Sequence, residues 1–316
     1  MKVVPTPISP ISPISPASRA VPANGLEHRV LEWSPGAAAA AGSPVRTVLL
    51  VHGFMDAGGT WDLVAPALAA RGFRVLAPDM RGFGRGARVS DGAYYHFVDY
   101  VFDLADIADT LSPGEPLAVV GHSMGGTIAT LFAGTFPERV ARLAIIEGVG
   151  PPDNPFEVGP VRMRGWIEQV RSLRGKRAAG PTLSSEDALR RLSANHPRVP
   201  PEVLVHRLPH LASSVRAASS AGGGEDELAW NFDPLHRTTA PMPFFAKLFV
   251  EFAKKVTGPV LFVSGGAHGY HPPDEDERLA AFAQLTRAEL PSAGHMVHWT
   301  EPEALSKLLL DHLGAS

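Results

Sequence analysis

The sequence predicts an α/β chain: a mostly parallel central sheet flanked by helices, with one helical insertion. Three observations carry that reading. Short apolar runs of Val, Leu and Ile alternate with segments of helical periodicity, and strands apolar along their whole length are buried on both faces of a parallel sheet. A hydrophobic content of 45% against 19% charged residues in a chain of 316 supplies one large core and argues against overall disorder. The alternation lapses once, over 149–257, where no clear strand is read. There Pro151-Pro152, Pro200-Pro201 and Gly222-Gly223-Gly224 punctuate helix-compatible stretches.

Taken in order, residues 1–25 carry six prolines in the first 22 positions and Ile-Ser-Pro three times over 8–16. Proline fixes φ and removes an amide donor, so a disordered tail is expected. His28–Trp33 reads as a strand, 37–41 as an alanine-rich loop, and Arg46–Val51 as a strand ending at His52-Gly53. Trp61–Ala70 reads as a helix, and Arg74–Ala77 as the next strand, ending at Pro78-Asp79. Tyr95–Thr110 is expected to be a helix that buries Val98, Val101, Phe102, Ala105 and Ala108, which share one stripe at helical spacing. Leu117–Gly121, Ala141–Ile146 and Val260–Ser264 are strands, Met124–Thr135 is a helix stopped before Pro137, and a last short strand closes at Leu290. Thr300 and Glu303 form a capping-box pattern for a terminal helix with Leu305, Leu308 and Leu309 facing inward. The expected organisation is a core at 26–148 and 258–316, with 149–257 as a helical cap at the carboxyl edge of the sheet, where such sheets bind ligands.

Several function classes fall away at once. The 29 basic and 32 acidic residues leave a net charge of -3, with no basic footprint for nucleic acid. No P-loop and no dinucleotide glycine pattern opens the first turn. The chain has no cysteine, which excludes a disulfide scaffold, a zinc ribbon and a thiol nucleophile. No apolar run matches the roughly 18 residues of a membrane span or the about 7–15 of a secretory signal, so a cytoplasmic protein is expected. The sequence sets no oligomeric state.

The sharpest motif is Gly121-His122-Ser123-Met124-Gly125-Gly126, between a predicted strand and a predicted helix. A serine hydroxyl is a weak nucleophile until it is exposed and deprotonated. A tight strand-to-helix turn exposes it at the cost of backbone strain, and only small flanking residues permit that turn. Gly121 and Gly125 serve there, while Gly126, Ala129 and Ala133 let the helix approach the sheet. Ser123 is therefore the candidate nucleophile. Its base must be a distant histidine brought in by the fold. His295, in Pro291-Ser292-Ala293-Gly294-His295-Met296, is the first candidate and His298 the competitor. His122 and His52 read as structural.

Val51-His52-Gly53-Phe54, Asp79-Met80-Arg81-Gly82-Phe83-Gly84, the Ser123 motif and Gly294-His295 occur in the order of the α/β-hydrolase fold superfamily, which the chain resembles over roughly residues 26–316. Glu147-Gly148-Val149-Gly150-Pro151-Pro152 and Trp230-Asn231-Phe232-Asp233-Pro234 are similar, more weakly, to its serine hydrolase-like branch. The resemblance implies His295 as catalytic histidine and the amides of Phe54 and Met124 as oxyanion hole. It also implies an acid shortly after Val260–Ser264, where this chain instead reads Gly265-Gly266-Ala267-His268-Gly269-Tyr270. Some relatives take the acid from the preceding strand, and Glu147 stands directly after Ile146. Glu147 is therefore the expected acid, with Asp274 or Asp276 as the alternative. A serine where dehalogenase and epoxide-hydrolase relatives carry an aspartate argues against both those chemistries.

The remaining clusters have plainer readings. His268 and His271 beside Asp274 and Asp276 lack metal-ligand spacing, and Pro209 is expected to interrupt the helix between His206 and His210, so no metal is expected. Arg162, Arg164, Arg171, Arg174, Lys176 and Arg177 read as a solvated helix face. Trp230, Phe232, Phe244, Phe245, Phe249 and Phe252 read mainly as the cap's own core. Asp79 and Arg81 read as residues that knit their turn. The expected function is hydrolysis of an ester or related acyl bond of a small, largely apolar substrate, without a cofactor. Carbon–carbon hydrolysis, perhydrolysis and a non-catalytic ligand receptor are the alternatives.

Overall fold

The apolar runs are strands, and they stack side by side. In a computed structural model that describes residues 14–35, 46–173, 182–215 and 227–314, the core strands are β1 (Ala17–Ala23), β2 (Leu26–Trp33), β3 (Arg46–Val51), β4 (Phe73–Pro78), β5 (Leu117–His122) and β6 (Val140–Ile146). Helices α1 (Ala65–Ala70), α2 (Phe97–Leu111) and α3 (Met124–Thr135) lie between them. The insertion holds α4 (Gly159–Leu173), α5 (Ser185–Asn195), α6 (Pro201–Leu211), β7 (Ala212–Ser214), β8 (Leu228–Trp230) and α7 (Ala246–Ala253). The chain ends on β9 (Val260–Ser264), α8 (Glu275–Leu279), β10 (Leu285–Glu289), α9 (Val297–Thr300) and α10 (Pro302–Leu313).

The main sheet has eight strands in the order β1-β2-β4-β3-β5-β6-β9-β10. β2 pairs antiparallel with both β1 and β4, and every other neighbouring pair is parallel. From β3 the chain first adds β4 on one side and then β5 on the other. That reversal opens a crevice above the carboxyl ends of β3 and β5, the place where such sheets take ligands. Val48, Leu50, Val120 and Ile146 face one layer, and Leu49, Val51, Val119 and Ile145 the other, so the sheet is buried on both faces. No helix of the described residues is long and apolar enough to cross a membrane.

Several expectations need correction. Residues 17–23 are not tail: they form edge strand β1, with Pro22 paired in register to Glu27. Proline is compatible with an edge, where one side of the strand has no ladder to donate to. Residues 1–13 lie outside the described residues, as do 37–41, 222–224, Arg174, Lys176 and Arg177. Helix α2 buries Tyr100, Asp103, Leu104, Ile107 and Ala108, whereas Val98 and Phe102 are 68% and 54% exposed. The helix is rotated because Arg81 reaches under it to form a buried ion pair with both oxygens of Asp103. The Thr300 hydroxyl donates to Ala293 and Met296 carbonyls at the end of α9, and α10 starts with Pro302 after an N-cap, Glu301, that makes no side-chain cap bond. Proline suits the first helical position, where its fixed φ is pre-organised for the helix and its missing amide would have had no intrahelical acceptor.

The insertion contains the small antiparallel pair β7–β8, which was not expected. Its own core is mainly aliphatic: Leu183, Leu192, Val203, Leu204, Leu208 and Leu211 cluster against Met296 and Trp299, and of the expected aromatics Trp230 packs against it. Phe249 joins the main core, with Phe232 and Phe244 packed against it. The cause is α7, which lies along α3 so closely that a Cβ on Gly134 would meet the Phe252 carbonyl at 2.4 Å.

Candidate active site

Ser123 leaves β5 with φ 52° and ψ -118°, a conformation that L side chains rarely adopt. The glycines around it explain how the turn closes. A Cβ on Gly121 would meet the Gly125 carbonyl oxygen at 2.3 Å, and one on Gly125 would meet the Val51 oxygen at 2.2 Å. The turn is pinned by the Ser123 amide, which donates to the Ile146 carbonyl at 2.8 Å. The serine side chain is thereby lifted to the start of α3, whose first amides have no intrahelical acceptor.

The loop after β10 brings His295 to this serine. Its Nε2 lies 3.1 Å from Ser123 Oγ, and its Nδ1 lies 3.2 Å from Glu147 Oε2. A carboxylate only accepts, so Nδ1 carries the proton and Nε2 is left to accept from the hydroxyl. Glu147 sits directly after β6, fully buried, with φ 55°. Its carboxylate also accepts from the Gly265 amide at 2.5 Å and from the Tyr270 amide. A Cβ on Gly269 would meet Glu147 Oε1 at 2.4 Å. The loop at 265–270, which carries no acid of its own, therefore wraps the carboxylate supplied by β6.

The alternative carboxylates are engaged elsewhere. Asp274 pairs with Arg278 at 2.7 Å and Asp276 with Arg287 at 2.5 Å. Arg278 itself is fully buried and donates to the carbonyls of Val149, Gly150 and Pro151, so this pair holds the chain where it leaves the sheet for the cap. Sequence reasoning did not find Arg278 or Tyr270. The runs Gly265-Gly266 and Gly269-Tyr270, with no acid between them, were the one visible sign.

The other histidines have structural partners. Met80's amide donates to His52 Nε2 at 3.0 Å, so His52 Nδ1 donates to Gly53's carbonyl at 2.7 Å. His122 Nε2 donates to the His295 carbonyl at 2.8 Å, and burial holds its pKa well below the usual histidine value. His298, the competitor for the base, is buried and donates to Asp56 at 3.0 Å. Burial lowers its pKa despite that bond. Burial also pushes the Asp56 carboxyl up, but the His298 bond and the neighbouring rings outweigh it and hold Asp56 below the carboxylate range. Asp79 accepts from the Gly58 and Arg85 amides and from Arg29, which confirms its role in the turn.

A cavity of about 610 Å³ opens over Ser123, lined by Phe54, Tyr94, Tyr95, Phe97, Tyr100 and His236 among others. Met124 also lines it. His236 stacks on Phe83 with centroids 3.9 Å apart, and burial lowers its pKa to about 3. The Asp233 carboxylate accepts from Tyr95 at 2.8 Å while its amide donates to the Gly82 carbonyl. The stretch 230–234 thus anchors the cap to the loop after β4. A second cavity of about 470 Å³ shares Phe54, His196 and Met296 with the first.

Comparison with known proteins gives a consistent picture. The chain is 27% identical to a serine hydrolase-like protein of Dictyostelium discoideum over 200 residues, 63% of this chain and 54% of that protein. It is 34% identical to epoxide hydrolase B of Mycobacterium tuberculosis over 116 residues, 34% of this chain and 32% of that protein. The chain therefore spans about half of the first relative and a third of the second. Among solved structures, the thioesterase domain from the curacin biosynthetic pathway superposes with a TM-score of 0.76 at 23% identity, covering 94% of this chain and 99% of that one; that likeness concerns the fold. The family model described as alpha/beta hydrolase fold matches residues 46–302, a span that takes in β3, the turn at Ser123, Glu147 and the His295 loop. The chain belongs to the alpha/beta hydrolase fold family.

Proposed function

We propose that the protein is a serine hydrolase that cleaves a carboxylic ester or related acyl bond of a small, largely apolar substrate. The observation that carries this reading is the relay Ser123 Oγ–His295 Nε2 at 3.1 Å and His295 Nδ1–Glu147 at 3.2 Å, set on a strained turn at the floor of an aromatic cavity. Ser123 attacks the acyl carbonyl as Nε2 takes its proton. Glu147 holds the imidazole in the required tautomer and stabilises the imidazolium. The amides of Phe54 and Met124 receive the oxyanion of the tetrahedral intermediate. Nε2 returns the proton to the departing alcohol, and water then enters through the same histidine to release the acid. Every proton is accounted for by these residues.

Matches to proteins named for hydrolase activity support hydrolysis in general, and the cavity's aromatic walls support an apolar acyl group. The test is labelling with a fluorophosphonate probe, followed by p-nitrophenyl esters of graded chain length. Stoichiometric labelling that disappears in Ser123→Ala, together with ester turnover, is expected. An unlabelled wild type with no ester turnover would overturn the proposal in favour of a ligand-binding protein.

A further inference from the structure

A second group of chemistry-bearing side chains lies outside the proposed triad. Asp62, in the short turn of helix at Gly58–Leu63, faces two histidines of cap helix α6. His206 Nε2 and His210 Nε2 approach the same oxygen, Asp62 Oδ2, at 2.9 and 3.0 Å. The expectation that Pro209 separates these histidines is overturned, because α6 runs through Pro209. Val205, whose carbonyl loses its donor there, lies on the exposed face, open to solvent. With the helix intact, positions 206 and 210 share one face.

The surroundings hold this constellation in place. Arg207 is fully buried and engages Asp62 Oδ1 and the Thr60 carbonyl, which turns Oδ2 toward the two rings. The His210 ring lies so close to Gly59 that a Cβ there would meet Nδ1 at 2.4 Å. Gly59 has no left-handed φ to require glycine, so its lack of a side chain serves the ring. The three side chains are 34%, 28% and 24% exposed for His206, His210 and Asp62, open enough for an ion to enter from solvent.

We propose that Asp62, His206 and His210 bind Zn²⁺, or a late first-row divalent cation of the same ligand preference, and thereby tie the cap to the core. Two imidazoles and a carboxylate suit such an ion, and hard Ca²⁺ or Mg²⁺ would take oxygen ligands instead. The three ligand atoms already lie within 4.8 Å of one another. Tetrahedral zinc with bonds of about 2.0–2.2 Å needs its ligands roughly 3.3 Å apart, so Oδ2 and the rings need separate by only a few tenths of an ångström. Water completes the fourth position. The Arg207 charge opposes the cation and moderates the affinity while it orients the carboxylate. Among the described residues, the other group of three such side chains close enough to share an ion, Asp56 with His122 and His298, is fully buried. Asp56 is already taken there by the Ala57 amide, the Thr60 hydroxyl and His298, so it offers no comparable place.

The experiment is titration of the full chain with ZnCl₂ by calorimetry, with Co²⁺ absorption as the coordination readout and thermal unfolding as the second. One equivalent is expected to bind. His206→Gln and His210→Ala are each expected to weaken it by at least about tenfold, whereas His295→Ala retains it. Zinc should raise the Tm of the wild type, as binding to the folded state alone requires, and at the same concentration should raise that of His206→Gln by less. No zinc binding, binding unchanged in both cap variants, or binding lost in His295→Ala would each overturn the proposal.

Discussion

Ser123 and Glu147 leave the neighbouring strands β5 and β6 with matching left-handed turns, φ 52° and 55°. Each turn is clamped by the next strand along: the Ser123 amide donates to Ile146's carbonyl at 2.8 Å, and the Glu147 amide to Val263's at 3.0 Å. The two turns also press on each other, since a Cβ on Gly148 would meet the Ser123 carbonyl oxygen at 2.5 Å. Strain at a non-glycine residue persists only where its surroundings impose it. Here the same parallel register aims a hydroxyl and a carboxylate at one imidazole.

The strain at Ser123 is measurable. Ser123→Gly and Ser123→Ala both remove the hydroxyl, but only glycine accepts φ 52° without a Cβ penalty. Ser123→Gly is expected to be more stable than Ser123→Ala by roughly 1 kcal/mol or more, with both inactive. Urea unfolding of the pair checks this; equal stabilities would mean the turn stores no strain.

The choice of acid separates cleanly by substitution. Glu147→Gln places an amide NH₂ or a lone oxygen against the Gly265 and Tyr270 amides and His295, all of which call for an acceptor. It is expected to lower kcat by about 10²–10⁴-fold, the range for a disabled triad acid. Asp274→Asn should leave kcat nearly unchanged and weaken only the Arg278 pair. Steady-state kinetics on one ester distinguishes the two, and near-normal turnover in Glu147→Gln would refute its proposed role.

How far this was legible in the sequence depends on where the information sits. β3, β5, β6 and β9 are apolar on both faces, so their runs stand out without any choice of side. The glycines around Ser123 announce a turn that nothing larger could close. Helix α2 was misoriented because hydropathy cannot register that Arg81 neutralises a buried Asp103, which frees Val98 and Phe102 to face outward. β1 was hidden by prolines that an edge strand tolerates. Glu147 was readable as a carboxylate at a strand's end. The amides of Gly265 and Tyr270 that hold it belong to the backbone and leave no mark in residue type. The same holds for Arg278, whose three acceptors are carbonyls.

Arg278 makes the cap connection vulnerable. Truncation to methionine keeps the bulk but strips the donors from the Val149, Gly150 and Pro151 carbonyls and leaves Asp274 without its partner. A buried carbonyl left without its donor costs about 1–3 kcal/mol, so Arg278→Met, which deprives several, should unfold before the wild type in a thermal scan. Lysine, a point charge without the planar fork, should recover only part of the loss. Full stability in Arg278→Met would show that these carbonyls find other donors.

Acid should destabilise the fold from the histidine range downward. Burial lowers the pKa of His236 to about 3 and of His312 to about 4, and lowers those of His122 and His298 as well. Each of these takes up its proton near 6.5 when unfolded but resists it when folded, so the unfolded state binds more protons below 6.5. Their stability contribution is complete above pH 6.5 and falls as pH drops toward about 4. His271 acts in the opposite sense, because its bond to the Gly266 carbonyl and its Glu275 partner raise its pKa, but it stands against five, since burial lowers the pKa of His196 too. The Tm measured from pH 7.5 to 4.5 should decline across this window, and His312→Gln should flatten the slope. A Tm that stays level or rises on acidification would contradict this.

Phe54 is expected to set which acyl groups fit. Its amide serves the proposed oxyanion hole, while its ring, half exposed, lies edge-on to Phe83 at 5.7 Å and to His236 at 6.1 Å between centroids. The ring borders both the 610 and the 470 Å³ cavities, so it forms part of the partition between them. Phe54→Ala keeps the amide and removes the partition. Turnover of p-nitrophenyl acetate should change little, since a short acyl group does not reach past the ring. For decanoate the merged space adds apolar contact, and a pocket change worth about 1–3 kcal/mol moves kcat/KM by ten- to two-hundredfold. The ratio of decanoate to acetate kcat/KM should therefore rise about tenfold or more. A fall of both in parallel would instead show that the ring holds the loop bearing the amide.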